Sequence, residues 1–311
     1  MKKRLVVIVG PTAVGKSRLA VDLALELGGE IINADSRQVY RYMDIGTAKP
    51  SAAERAAVPH HLLDLVNPDE PFNLALYRRK SLQAIDDIFS RGKLPILVGG
   101  TGQYVWATVE GWVVPAVAPD LELRKSLEEQ AAQSGHLALY QRLVEADPNA
   151  ARAIDPRNVR RVVRALEVCR GAGQPFSRLR RKVEPPFDSI VLGLTMPRSD
   201  LYGRIDRRVE SMMENGLVDE VRRLNHMGFG VDLAPMTGIG YMEISSYLAN
   251  QVDLDSVVEK IKYRTHQLAR RQYAWFNLSD TRIRWLTADK SSLKSASSLL
   301  KESIGKDSGI H

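Results

Sequence analysis

Gly10-Pro11-Thr12-Ala13-Val14-Gly15-Lys16-Ser17 matches the pattern G-x-x-x-x-G-K-[ST] at every fixed position. An anion site needs each part of it. Glycines let the backbone curl until several N–H groups converge on phosphate oxygens. A helix starting at the loop turns its positive end toward the same anion. Lys16 brings a mobile cation to the outer phosphate, and the Ser17 hydroxyl is a ligand for Mg²⁺. The flanks give the pattern its meaning. Residues 5–9 are all apolar, as in a strand buried on both faces. Residues 17–27 place Leu19, Ala20, Leu23 and Leu27 at helical spacing and stop at Gly28-Gly29. The expectation is a loop that holds a di- or triphosphate. The loop does not say what is transferred: kinases, NTPases and enzymes with a pyrophosphate leaving group all fit.

Working outward, strand-like runs at 30–34 and 95–98 alternate with a helical stretch at 74–89. Helix-length crossovers between strands argue for a parallel sheet. The character changes near Pro115. Helical patterns at 121–133, 137–146 and 159–170 follow with no credible strand until 189–194. Helices are then expected at 201–215, 217–226 and 254–277, and a last strand at 282–286. The fold class is therefore α/β, a P-loop NTPase-like parallel sheet core (1–115 and 187–311) with a helical insertion domain (116–186). The tail after Ile304 is expected to fray.

Composition narrows the setting. With 311 residues, 44% hydrophobic and 26% charged, the chain is neither mostly disordered nor strongly biased. No apolar run is long enough to cross a bilayer. The basic start at Met1 lacks the apolar core of a signal peptide, so a cytoplasmic setting and no membrane partner are expected. A single cysteine, Cys169, excludes an internal disulfide and a multi-cysteine zinc site. It falls on an apolar helix face and reads as a small core residue. The net charge of +7 favours an anionic partner. Residues 152–184 hold ten basic residues against three acids, a surplus equal to that of the whole chain. A second stretch, 260–273, has five cations and no acid.

Three further features bear on chemistry. In an open parallel sheet, ligands sit beyond the carboxyl ends of the strands. One strand ends in Asn33-Ala34-Asp35-Ser36-Arg37-Gln38, where Asp35 suits a metal ligand, a proton acceptor or a turn aspartate equally. Another ends in Gly99-Gly100-Thr101-Gly102-Gln103-Tyr104, where Thr101 suits a phosphate contact or a helix cap. Arg157, Arg160, Arg161 and Arg164 line one helix face, and Val159, Val162, Val163 and Leu166 the other. Arginine forks suit the phosphates of a nucleic acid, and only Asp155 and Glu167 are near to balance them. His60-His61 with Asp64 reads as a loop cap, not a metal site, because adjacent imidazoles diverge. Among Tyr263, Tyr273, Trp275 and Phe276, one or two aromatics suit base stacking.

The chain resembles the bacterial tRNA dimethylallyltransferases, also called tRNA isopentenyltransferases. The matching stretches are G-P-T-A-V-G-K-S (10–17), D-S-R-Q-V-Y-R-Y-M-D-I-G-T-A-K-P (35–50), P-H-H-L-L-D (59–64), V-G-G-T-G-Q-Y (98–104), N-V-R-R-V-V-R-A-L-E-V (158–168), G-I-G-Y-M-E (238–243) and R-R-Q-Y-A-W-F (270–276). The second is highly specific. Gln103, His266 and Arg271 depart from residues common in the family.

The resemblance implies transfer of a dimethylallyl group from dimethylallyl diphosphate to N6 of adenosine 37, beside the anticodon, in tRNAs that read codons beginning with U. Pyrophosphate is released. It implies Asp35 as general base, Thr101 at the reacting centre, and Gly10 to Ser17 on the diphosphate with Lys16 meeting its charge. Mg²⁺ would sit at Ser17. Asp35, Ser36, Arg37, Gln38, Thr101 and Arg124 would contact tRNA, and so would the segment Val159, Arg160, Arg161, Val162 and Val163. The expected enzyme is a monomer acting on a tRNA anticodon loop. An adenine-nucleotide isopentenyltransferase and a small-molecule P-loop kinase are the alternatives. Neither gives a role to the arginine helix.

Overall fold

The computed structural model describes residues 3–115 and 117–305, so the tail after 305 lies outside the described residues. The chain forms two compact units. The first runs to Val109 and resumes at Pro185; the second is Glu110–Glu184. The first unit opens with β1 (Arg4–Val9), α1 (Lys16–Leu27), β2 (Gly29–Asn33), α2 (Ala52–Ala57), β3 (His60–His61), α3 (Leu74–Ser90), β4 (Leu94–Val98) and α4 (Gly102–Val109). The second holds β5 (Trp112–Val113), α5 (Leu121–Ser134), α6 (His136–Ala146), α7 (Pro148–Arg152), α8 (Val159–Ala172), α9 (Phe176–Leu179) and β6 (Arg181–Lys182). The first then continues with β7 (Asp188–Thr195), α10 (Arg198–Glu214), α11 (Leu217–His226), α12 (Tyr241–Leu248), α13 (Leu254–Trp275), β8 (Ile283–Thr287) and α14 (Ser292–Gly305).

The first unit is built on a six-stranded sheet of order β3-β2-β4-β1-β7-β8. Every pairing in it is parallel. Leu5, Val6, Val7, Ile8 and Val9 are fully buried, which explains why β1 is apolar at every position and not alternating. Burying each such aliphatic side chain contributes roughly 1.5–3 kcal/mol. Because all strands point the same way, the carboxyl ends of β2, β4, β1 and β7 lie side by side. The loops after them form one rim. No helix among the described residues is long and apolar enough to cross a membrane.

Four details differ from the sequence-based expectation. His60-His61 is a short edge strand, paired to β2, and not a loop cap. Alternation along it sends the His61 ring to Glu30 (2.7 Å) and the His60 ring to the Val58 carbonyl oxygen (2.8 Å). Among the described residues no group of three or more His, Cys, Asp or Glu could hold a metal. Arg181-Lys182, within the stretch expected to lack strands, pairs antiparallel with Trp112-Val113. That pairing ties the start of the second unit to its end, so the unit runs 110–184 where the composition change had suggested 116–186. The short helices α2, α7 and α9, and also α12 and α14, were not anticipated. α14 is serine-rich, but Ala296 and Leu300 are buried and Ser297 donates to Glu26 of α1 (2.5 Å), so packing outweighs weak local preference.

The second unit has its own core, formed by Leu127, Leu139, Leu143, Ile154, Val162 and Val163 among others. Cys169 lies half-buried on α8. Its sulfur accepts from the Phe176 N–H (3.3 Å) and burial pushes the thiol up, as an inert packing residue.

Candidate active site

The loop after β1 curls as an anion cradle requires. Gly10 has φ +141°, and a Cβ there would lie 2.5 Å from the Leu194 carbonyl oxygen. Gly15 has φ +110°, and Ala13 holds φ +63° without being glycine. Backbone held in that region by its surroundings is common at ligand sites. Lys16 Nζ folds back to donate to the Pro11 carbonyl oxygen at 2.7 Å. α10 lays two more cations over the loop. Arg204 donates to the Val14 carbonyl oxygen (3.3 Å) and Arg208 lies 3.4 Å from Thr12 Oγ1. They stand four residues apart, hence on one helix face. Burial, then the Arg208 charge, push the Lys16 ammonium down to about 7, with Asp35 opposing. Burial likewise lowers Arg208, again with Asp35 opposing. Crowded, partly desolvated cations facing a single carboxylate leave a strong positive potential for an anion of several charges.

The loop after β2 brings Asp35 to the same rim. Asp35 Oδ1 accepts from the Arg37 N–H (2.8 Å), and Asn33 fixes the turn by accepting from the Asp35 N–H (3.0 Å). Thr101, on the loop after β4, accepts from the Ser36 N–H through Oγ1 (3.0 Å) and donates its own N–H to the Ala34 carbonyl oxygen (3.2 Å). The two strand-end loops are thus laced together. Gly99 permits this: a Cβ there would fall 2.1 Å from the Ala34 carbonyl oxygen. Gln38 donates to the Thr47 and Ala48 carbonyl oxygens (3.0 and 3.1 Å), and Arg37 to that of Ala234 (2.8 Å). So Lys16, Asp35, Ser36, Arg37, Gln38 and Thr101 all belong to one rim of the first unit. Gln103 is exposed, so its departure from the family disturbs no core packing.

The long D-S-R-Q-V-Y-R-Y-M-D-I-G-T-A-K-P segment has no regular structure beyond β2, and buried polar groups hold it. Glu220 of α11 is 1% exposed. Its carboxylate accepts from the backbone N–H groups of Asp44 (2.9 Å), Ile45 (2.8 Å) and Gly46 (3.1 Å), and from the Tyr241 hydroxyl (2.7 Å). Gly46 must lack a side chain because a Cβ there would sit 2.7 Å from the Tyr241 ring. Lys49 Nζ donates to the Tyr40 carbonyl oxygen (2.6 Å), Asp44 (2.7 Å) and Asp64 (2.5 Å).

The remaining expected residues lie in the second unit. Arg124 grips Glu167 through two bonds (2.8 and 2.9 Å), so its guanidinium is committed to a buried carboxylate. Arg164 also pairs with Glu167, and Arg157 pairs with Asp155 through both oxygens (3.0 and 2.8 Å). The expected stripe of four arginines is therefore two. The two nearby acids take two of the four, and buried Glu167 is shared between Arg164 and Arg124. Burial works to raise Glu167, but the bonds from Arg124 and Arg164 outweigh it and hold it below the usual carboxylate range. Val162 and Val163 are sealed in the core at 0% and 2% exposure, so their side chains offer nothing to a ligand. Val159 is half-buried, whereas Arg160 and Arg161 are exposed.

Arg204, Arg208, Glu220 and Gln272 escaped the sequence reading. For the two arginines the fourfold spacing in R-I-D-R-R was available as a signal. Gln272 gave none. Of the four aromatics between 263 and 276, Phe276 is core, Tyr273 shares a hydrogen bond with Thr195 (3.0 Å), and Tyr263 and Trp275 are exposed.

Comparison with known proteins places this arrangement. A family model described as IPP transferase matches residues 38–279, and one described as isopentenyl transferase matches residues 3–64. The chain is 52% identical over 290 residues to a tRNA dimethylallyltransferase of Roseiflexus sp. strain RS-1, covering 93% of this chain and 95% of that one. It is 45% identical over 287 residues to the tRNA dimethylallyltransferase of Dehalococcoides mccartyi, covering 92% and 88%. Its structure matches the crystal structure of a tRNA isopentenylpyrophosphate transferase from Bacillus halodurans with a TM-score of 0.73, 39% identity, and coverage of 99% of this chain and 98% of that one. It also matches a eukaryotic dimethylallyltransferase acting on tRNA, with a TM-score of 0.78, 29% identity, and coverage of 99% and 80%. On the match to more than half of its length and on these identities, the chain belongs to the IPP transferase family.

Proposed function

We propose that this chain is a tRNA dimethylallyltransferase, moving a dimethylallyl group from dimethylallyl diphosphate to N6 of adenosine 37 in tRNAs that read codons beginning with U. The observation that carries the reading is a phosphate loop lined by Lys16, Arg204 and Arg208 on the same rim as Asp35. Transfer of an allylic group needs both. N6 forms a bond to C1 of the dimethylallyl group as the C1–O bond to diphosphate breaks. Negative charge grows on the departing oxygen, where the loop amides and cations meet it. The proton lost from N6 passes to Asp35, whose Oδ2 makes no hydrogen bond among the described residues. Thr101 sets the spacing of the acceptor loop through Ser36.

Mg²⁺ fits the residues in one way. Ser17 is exposed in the first turn of α1, and no cluster of carboxylates among the described residues could hold a metal alone. The ion would take Ser17 Oγ and draw its other ligands from diphosphate oxygens and water. When bound it would neutralise charge on the leaving group.

Labelled dimethylallyl diphosphate, incubated with the enzyme and either tRNA or AMP in the absence of ATP, tests the reading. Label is expected in tRNA alone. Label in AMP alone, or a stoichiometric need for ATP, overturns it.

A further inference from the structure

α13 crosses the rim, and one side chain on it touches both loops that matter. Gln272 is 7% exposed. Its Oε1 accepts from the Thr12 N–H of the phosphate loop at 2.7 Å, and its Nε2 donates to the Gly100 carbonyl oxygen of the Thr101 turn at 3.1 Å. The fit is tight: a Cβ on Gly100 would lie 2.1 Å from Nε2. The flanks of Gln272 are anchored to the same rim. Tyr273 bonds to Thr195 at the end of β7, Trp106 of α4 donates to the Trp275 carbonyl oxygen (3.1 Å), and the Trp275 ring fills the space above Gly102.

We infer that Gln272 is a positioning residue: its side-chain amide is a strut that sets the spacing between the diphosphate loop and the Thr101–Ser36 turn that presents Asp35. The inference rests on the proposed transferase reading and deepens it. The Thr12 N–H is taken by Gln272, so this amide braces the loop and is not one of those offered to phosphate. The strut therefore acts on the distance between donor and acceptor, not on the affinity of either. Misplacing reacting groups by about an ångström costs roughly a hundredfold in rate. An amide is needed because one end must accept and the other must donate.

The test uses Gln272→Met, which fills the space and bonds to neither loop, and Gln272→Glu. When protonated, the introduced carboxyl both accepts and donates, as the amide does. When ionised it only accepts, and it faces the Gly100 oxygen unfavourably. The Thr12 that it braces lies 3.4 Å from Arg208 through its hydroxyl, and Arg208 in turn interacts with the charges of Lys16 and Asp35. Gln272→Met should lower kcat about ten- to a hundredfold, while KM for dimethylallyl diphosphate and affinity for tRNA stay within about twofold of wild type. For Gln272→Glu, the ratio of its kcat to that of wild type should rise as pH falls. Taking the ratio to wild type removes the pH dependence that the two proteins have in common.

If wild type transfers to tRNA and Gln272→Met keeps its kcat, the strut is refuted. A pH-independent kcat ratio for Gln272→Glu refutes it as well. If binding and melting temperature fall together with kcat in both variants, Gln272 is merely structural and the inference also fails. If wild type itself transfers nothing to tRNA, the failure lies with the proposed function.

Discussion

At the scale of single residues, Asp35 and Lys16 divide the chemistry. Asp35 is anchored by one oxygen to the Arg37 N–H, which leaves the other for a proton. Asp35→Asn keeps that anchor and removes the base. Turnover is expected to fall ~10²–10⁴-fold with tRNA affinity and melting temperature unchanged; near-normal turnover at saturating substrates would take Asp35 out of the base role. Lys16 poses a different question, because burial and Arg208 bring it down to about 7. Below that value the ammonium is present before the diphosphate arrives. Above it, the anion must recruit a proton as it binds, so affinity weakens as pH rises, by up to about tenfold per unit. The diphosphate titrates in the same range, so the observable is the affinity ratio of wild type to Lys16→Ala. That ratio is expected to shrink as pH climbs past neutrality. A ratio flat in pH would mean that Lys16 is already fully charged when empty.

At the scale of elements, β1, the phosphate loop and α1 were legible because every cue for them is local: an apolar run, a glycine pattern and a helical stripe within the first 28 residues. Asp35 and Thr101 were legible as strand-end residues, and the spacing of the strands already placed them on one rim. What holds those loops was not legible, because the partners are remote. Glu220 reaches a loop 174 to 176 residues earlier in the chain, and Gln272 reaches Thr12 across 260. The D-I-G motif shows in sequence that its residues matter, but not that they are three N–H donors around a carboxylate. The short strands β3, β5 and β6 have two residues each, too few to show a period. Glu220→Ala tests the remote support. It strands the three backbone donors and the Tyr241 hydroxyl, and should cost about 3–5 kcal/mol by chemical denaturation. Glu220→Gln keeps one acceptor oxygen and should cost less. Equal, small losses in both would mean that the 44–46 loop is held by its own turn.

At the scale of the whole molecule, charge decides what the chain attracts and from how far. The surplus of the chain equals that of residues 152–184 alone, and within that stretch Arg157 and Arg164 are the arginines paired with Asp155 and Glu167. Arg160 and Arg161 have no ion pair or side-chain hydrogen bond among the described residues. Burial and the neighbouring Arg180 push the Arg161 guanidinium below its usual value, so two cations are held close with no anion between them. That is unfavourable unless a polyanion arrives, and a phosphate backbone is the polyanion that the proposed substrate supplies. Changing both arginines to alanine leaves the core intact, since Val162 and Val163 on the other face stay buried. The double variant should bind tRNA more weakly. The slope of log affinity against log salt should flatten by about 0.7 to 0.9 for each phosphate that the variant no longer neutralises. Arg124→Ala is the contrasting case: it leaves Glu167 short of a partner and should lower the melting temperature first. Pyrophosphate binding at the phosphate loop should be unchanged in the double variant. Should tRNA affinity and its salt slope both match wild type, this face carries only solvated charge, and the RNA must be gripped by other cations, Lys260, Arg270 and Arg271 of the 260–273 stretch first among them.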